Sequence, residues 1–124
     1  MGTCDIPFTL HHHVADGTTI LELSGELDIW ADHELAARIT ALLDRPHLDV
    51  LVDLRGVTFL DAGGLRLLVR ISKQTVQREG TLHIVCDSPR LRRILHITRL
   101  DRSLPLLDTS PAALAAHGER EVTA

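Results

Sequence analysis

The sequence predicts an α/β domain: a small mixed β-sheet with helices mainly on one face, in the order β-β-α-β-α-β-α-β-α. Three observations predict it. An Asp-Gly pair separates two apolar stretches near the N-terminus, the signature of an antiparallel hairpin. Residues 48–54, LDVLVDL, form a nearly continuous apolar run, short and β-branched enough for a strand covered on both faces. Beyond it, strand-like and helix-like segments alternate, the pattern of parallel strands joined by right-handed crossovers.

The elements follow in order. Residues 6–14, IPFTLHHHV, read as a first strand at a sheet edge, where Pro7 is tolerated because no ladder needs its missing N–H. His11, His12 and His13 invite a metal reading. Neighbours in a strand point to opposite faces, so at most His11 and His13 share one, too few for a site; a polar edge strand is the better account. Ala15-Asp16-Gly17-Thr18 is the turn, and Thr19 to Leu27 the second strand, with Gly25 marking a bulge or a close approach of another backbone. Asp28 ends that strand. Ala31 to Leu43 is the first helix, its stripe made by Leu35, Ile39, Leu42 and Leu43, stopped by Arg45-Pro46.

The strand at 48–54 leads into an expected loop, Arg55 to Leu60. Asp61 stands at the N-cap of a second helix, from about Gly63 to Glu79. Leu65, Leu68, Val69, Ser72 and Val76 form its expected apolar face, and Gly80 its C-cap. The small residues of Asp61-Ala62-Gly63-Gly64 let another molecule approach the backbone. Thr81 to Cys86 is a strand. Ser88-Pro89 opens a third helix, with serine at the N-cap and proline at N1. Arg90, Arg92, Arg93 and Arg99 make that helix locally basic, as a solvated surface. Ser103 to Leu107 reads as a last edge strand, Ala112 to His117 as a short final helix, and 118–124 as a frayed tail after one domain at 6–117.

Composition bounds the function. At 124 residues, one core can form. A net charge of −4 argues against general nucleic-acid binding. No apolar run reaches the roughly 18 residues of a membrane span, and no secretion signal is visible, so a cytoplasmic location is expected. Cys4 and Cys86 belong to no CxxC pair and read as free thiols.

A search for chemistry finds no Walker loop, dinucleotide fingerprint, nucleophile elbow or HExxH. Asp28, Asp53 and Asp61 fall near expected strand ends, but no nucleophile, base and oxyanion set assembles around them. Catalysis, a metal and a cofactor are therefore not expected. What remains is a small-residue segment feeding a helix N-terminus. Such a terminus favours negative charge, and a phosphate there would repel a docked partner.

At these residues the chain resembles a known family. Leu23-Ser24-Gly25-Glu26-Leu27-Asp28, Val52-Asp53-Leu54 and Val57-Thr58-Phe59-Leu60-Asp61-Ala62-Gly63-Gly64-Leu65 look like a STAS domain of the bacterial anti-sigma factor antagonist (anti-anti-sigma factor) type. The match runs from about Phe8 to His117. It implies a non-enzymatic, monomeric protein that binds an anti-sigma factor, usually a serine kinase of the GHKL type, and so frees a sigma factor. In the usual member the kinase phosphorylates a serine in D-S-[ST]-G at the start of the second helix, and the phosphate breaks the complex.

Here Asp61 and Gly64 match that motif, while Ala62 stands at the acceptor position and Gly63 follows it. The resemblance therefore implies an antagonist that the usual phosphorylation cannot switch. The expected partner-contact residues are Asp28, Thr58, Asp61, Ala62, Gly63, Gly64 and Arg66. Thr58 and Ser72 are the nearest hydroxyls, and Thr58 is expected to be partly buried. An alternative within the same resemblance is a scaffold or regulatory subunit of a stress-signalling or transporter ATPase complex, although no N-terminal sensor domain is seen.

Overall fold

The computed structural model describes residues 7–102 and 104. One four-stranded sheet carries the fold, in the spatial order β1 (Phe8–Ala15), β2 (Thr18–Leu27), β3 (Asp49–Leu60) and β4 (Thr81–Val85). β1 and β2 form the antiparallel hairpin; β2, β3 and β4 are parallel. Helices α1 (Ile29–Leu42), α2 (Ala62–Gln77) and α3 (Pro89–Ile97) connect and follow them, and a 3-10 turn spans Leu100–Arg102. The expected strand at 103–107, apart from Leu104, the helix at 112–117 and the tail at 118–124 lie outside the described residues, as does Cys4. Among the described residues, no helix is long and apolar enough to cross a membrane.

Local chemistry explains the turns. Asp16 and Gly17 both adopt positive φ, as a type I′ hairpin turn requires. β1 is an edge strand, and Pro7 at its start accepts a 2.7 Å hydrogen bond from the Glu26 N–H. Gly25 has φ +87. A Cβ there would overlap the Pro7 carbonyl oxygen and lie 2.8 Å from its carbon, so both the bulge and the close backbone approach are present.

One large core lies on the helical face of the sheet. It joins Leu21, Leu23, Val50, Val52, Leu54 and Ile84 of the strands to Ile39 of α1, Leu67, Leu68 and Ile71 of α2, and Leu91 and Leu95 of α3. A smaller cluster of Ala15, Ile20, Leu51 and Val85 lies on the other face. Cys86 is buried against the large core, which pushes its thiol pKa upward and leaves it a poor nucleophile.

Four expectations need correction. Arg55 to Leu60 is not a loop. It continues β3, pairing Gly56 with Ser24, Val57 with Gly25, Phe59 with Glu26 and Leu60 with Leu27. Between Asp53 and Leu60, β3 holds two more residues than β2 sets against them, taken up at two irregularities. The alternation of the strand is thereby reset, and Leu54, Val57 and Leu60 all turn inward. Asp53 consequently sits in mid-strand, nearly buried, with its carboxylate clamped by Arg55 (Nε to Oδ1 2.9 Å, Nη2 to Oδ2 2.7 Å). It forms a structural pair in the middle of β3, level with the last residue of β4 and well before the end of β3 that carries Asp61.

The apolar face of α2 is rotated from its expected position. Gly64, Leu67, Leu68, Ile71 and Thr75 are buried, whereas Val76 is exposed. The glycines contribute to the buried stripe without appearing in a hydrophobic count. α1 begins at Ile29, two residues early, because Asp28 is its N-cap as well as the residue after β2. The left-handed residue closing α2 is Glu79 (φ 58), and Gly80 serves instead to pass Leu48, whose carbonyl oxygen would lie 2.5 Å from a Cβ at that position.

Candidate functional site

The site is built where two neighbouring strands end. Leu27 pairs with Leu60, and each strand is followed at once by an aspartate that caps a helix. The Asp28 carboxylate accepts from the Ala31 N–H at 3.0 Å. The Asp61 carboxylate accepts from the Gly63 N–H at 2.8 Å and the Gly64 N–H at 3.3 Å. The Asp61 N–H in turn donates to the Leu27 carbonyl at 3.2 Å, which ties the two caps together. Both carboxylates are partly exposed, so each retains lone pairs for a partner while stabilising its helix. Asp61→Ala is expected to cost about 1 kcal/mol of stability, measured by chemical denaturation.

The glycines do different work from Ala62. Gly63 and Gly64 are buried. A Cβ on Gly63 would overlap the Ile29 backbone and lie 2.7 Å from the Asp28 carbonyl carbon. One on Gly64 would overlap the Leu27 carbonyl oxygen and approach Leu60 Cδ1 to 2.6 Å. The close approach expected from another molecule is thus made inside the chain, by the start of α1 against the start of α2. Ala62 alone of that segment is exposed, at the first position of α2. Arg66, one turn on, is exposed as well.

Thr58 is exposed, contrary to expectation. It is the extra residue of the irregularity, since Val57 and Phe59 pair with the consecutive residues Gly25 and Glu26. Ser72 lies in α2, half-buried and nearly three turns from Ala62. The structure therefore brings Asp28, Asp61 and Ala62 together at one end of the sheet, with Thr58 two residues before its last pair.

Sequence reasoning missed the apolar part of this end. Ile29 is 65% exposed, Trp30 50% and Phe59 46%. Phe59 precedes the last β3 pair, Ile29 backs Gly63, and Trp30 meets Phe8 edge to face with ring centroids 5.4 Å apart. A groove of about 450 Å³ continues from Trp30 along β1, lined by Phe8, Leu10, Glu34, Leu35 and Arg38 among others. Phe59 alternates with inward-facing Leu60 and so lies on the other face of the sheet; Ile29 and Trp30, exposed beside the Asp28 cap, are the large apolar side chains a docking partner would meet at the start of α1. One signal was available: the sole tryptophan of an aromatic-poor chain follows the Asp28 cap, off the apolar stripe of α1. Also missed was Asp32, buried on α1, which accepts from Arg70 Nη2 of α2 at 3.3 Å and fixes the two helices beneath the site.

Known proteins bear on this geometry. The family model for the STAS domain matches residues 10–113. The anti-sigma-B factor antagonist of Staphylococcus aureus is 32% identical over 80 residues, 64% of this chain and 74% of that protein. The protein BtrV of Bordetella bronchiseptica, described provisionally as an anti-sigma factor antagonist, is 28% identical over 102 residues, 82% of this chain and 87% of that one. Among solved structures, an anti-sigma factor antagonist from Mycobacterium paratuberculosis superposes with a TM-score of 0.74 at 32% identity, covering 88% of this chain and 92% of the other.

Proposed function

The chain belongs to the STAS family of anti-sigma factor antagonists, non-enzymatic binding proteins, and from that premise we propose that it binds a serine-kinase-type anti-sigma factor through the end of the sheet bearing Asp28, Asp61 and Ala62. Binding releases the sigma factor held by that kinase. The observation that carries this reading is the arrangement itself. An exposed methyl side chain sits at the first position of α2, directly after the Asp61 cap, and the next residue, Gly63, packs against the start of α1, which carries the Asp28 cap and exposed Ile29 and Trp30. Apolar anchors give affinity there, and the free edges of the carboxylates offer charge to a basic group of the partner.

The same position explains regulation. In the family pattern, a phosphoserine here would place about two negative charges beside the Asp61 cap, in a contact whose neighbours are apolar, and the cost of burying them there without enough partners would break the complex. Ala62 has no hydroxyl, so the complex persists while the kinase and ATP are present. Gly63 and Gly64 act by holding α1 against α2, and Thr58 and Arg66 lie on the rim. Thr58 is exposed, but its neighbours Val57 and Phe59 are paired to β2, so a kinase could not draw this segment into its substrate cleft without breaking the ladder.

The test is a binding titration against the GHKL-type anti-sigma factors of the same cell, with and without Mg-ATP, using wild type and Ala62→Ser. Wild type is expected to bind equally well before and after ATP. Ala62→Ser is expected to gain one phosphate by mass spectrometry and then to bind at least about a hundredfold more weakly, the scale of a charge buried without its partner. Phosphate on wild type that ends binding would overturn the proposal, and so would the failure of every such kinase to bind either protein.

A further inference from the structure

Charge is divided along this chain far more sharply than its net value of −4 indicates. Up to Asp61 there are eleven acidic and three basic side chains; from Ala62 to Arg102 there are nine basic and three acidic. The first segment builds β1, β2, α1 and β3, and the second builds α2, β4, α3 and the 3-10 turn. Because β1 and β4 are the two outer strands of the described sheet, the division becomes a polarity across the molecule.

α2 lies where the two halves meet. It carries Arg66, Arg70 and Lys73 and no acidic residue. Arg70 is turned toward α1 and held by buried Asp32. At 100° per residue, Arg66, Val69, Lys73 and Val76 fall within one narrow stripe directly opposite the buried line of Leu67, Leu68, Ile71 and Thr75. Arg66 and Lys73 are exposed and take part in no ion pair among the described residues, and Val76 is 65% exposed. The stripe starts one turn from Ala62, so it prolongs the proposed docking end along the helix.

We infer that this stripe of α2 receives an acidic face of the anti-sigma factor, a reading that rests on the function proposed above. The two unpaired cations steer and orient the partner, while Val69 and Val76 give it a shallow apolar seat. A partner with the opposite charge pattern is excluded, because the Arg66 and Lys73 charges would meet their own sign. The molecule's polarity then makes docking directional: acidic caps at one end of the contact, cations along the other.

The experiment is stopped-flow association of the cognate GHKL-type anti-sigma factor with wild type, Lys73→Glu, the double variant R66E/K73E and Arg45→Glu, each at several salt concentrations. Arg45 is exposed just past α1, so its reversal changes net charge as much as that at Lys73. Lys73→Glu is expected to slow association about tenfold at low salt, and R66E/K73E more, with the salt dependence flattened or reversed. Arg45→Glu is expected to change it by less than about twofold. Equal effects of Lys73→Glu and Arg45→Glu would overturn the inference while leaving the functional reading intact, because wild type would still associate. Lys73-dependent capture of duplex DNA, or Lys73-dependent self-association in sedimentation, would overturn it in favour of another occupant. If wild type associates with no anti-sigma factor, the functional reading falls and this surface assignment with it.

Discussion

Gly63→Ala is expected to destabilise the protein by about 3 kcal/mol, the upper range for a single overpacked position. The added Cβ has no space to enter. It overlaps the Ile29 backbone and lies 2.7 Å from the Asp28 carbonyl carbon, and the backbone of a capped helix start cannot turn aside as a flexible side chain would. α1 and α2 must separate at their N-termini, weakening the Asp61 hydrogen bonds to the Gly63 and Gly64 amides and straining the Asp32–Arg70 pair. Thermal unfolding should move down by roughly 10 °C for a domain of this size. Ala62→Ser, one residue away but exposed, is the matched comparison and should stay within about 0.5 kcal/mol of wild type. A loss below about 1 kcal/mol for Gly63→Ala would show that the helix starts do not depend on this contact. The same substitution should weaken partner binding, since Asp28, Ala62 and Trp30 keep their spacing only while the two helix starts touch.

Trp30→Ala should act on binding more than on folding. Trp30 is half-exposed, and its structural contact is the edge-to-face pair with Phe8, worth about 1 kcal/mol. As an exposed aromatic next to Ile29 and two residues past the Asp28 cap, it has the character of an interface anchor, whose truncation costs about 2 kcal/mol, on the order of thirtyfold in Kd. The loss should fall mainly on the dissociation rate, in contrast to the charge reversals on α2, which act on association. Calorimetric titration with the anti-sigma factor measures the first quantity and stopped-flow separates the second. Trp30→Phe should recover most of the affinity. An unchanged Kd for Trp30→Ala would move the contact away from the start of α1 and confine it to Ala62 and α2.

The elements of this fold were legible because their signals are local. The Asp16-Gly17 turn, the serine and proline opening α3, the aspartate opening α2 and the Leu35–Ile39 stripe each depend on a few adjacent residues. The motif from Val57 to Leu65 carried the family, and Ala62 at its acceptor position carried the main regulatory expectation. What failed was whatever depends on a distant segment. Arg55 to Leu60 has the composition of a loop, and it is a strand because β2 is long enough to hold it and the ladder can absorb extra residues. The Gly63-Gly64 pair looks open in the sequence. It is closed because α1 starts against it, which only the pairing of Leu27 with Leu60 decides.

Exposure divides in the same way. Periodicity measures which residues of a helix share a face, but not which face meets the sheet, so the buried side of α2 was placed one position off and Val76 was given to the core. Sequence alone determined an α/β chain in which Asp61 and Ser88 cap the helices that follow the third and fourth strands, within a motif that resembles the STAS family. Only the tertiary structure decided that Asp28 is a cap lying beside Asp61 at neighbouring strand ends, that Ile29 and Trp30 are exposed next to it, and that Arg66 and Lys73 of α2 share one outward stripe while Arg70 turns to Asp32. Caps and turns are fixed by bonds within a few residues, whereas proximity and exposure are fixed by strand register and helix packing, which join residues far apart along the chain.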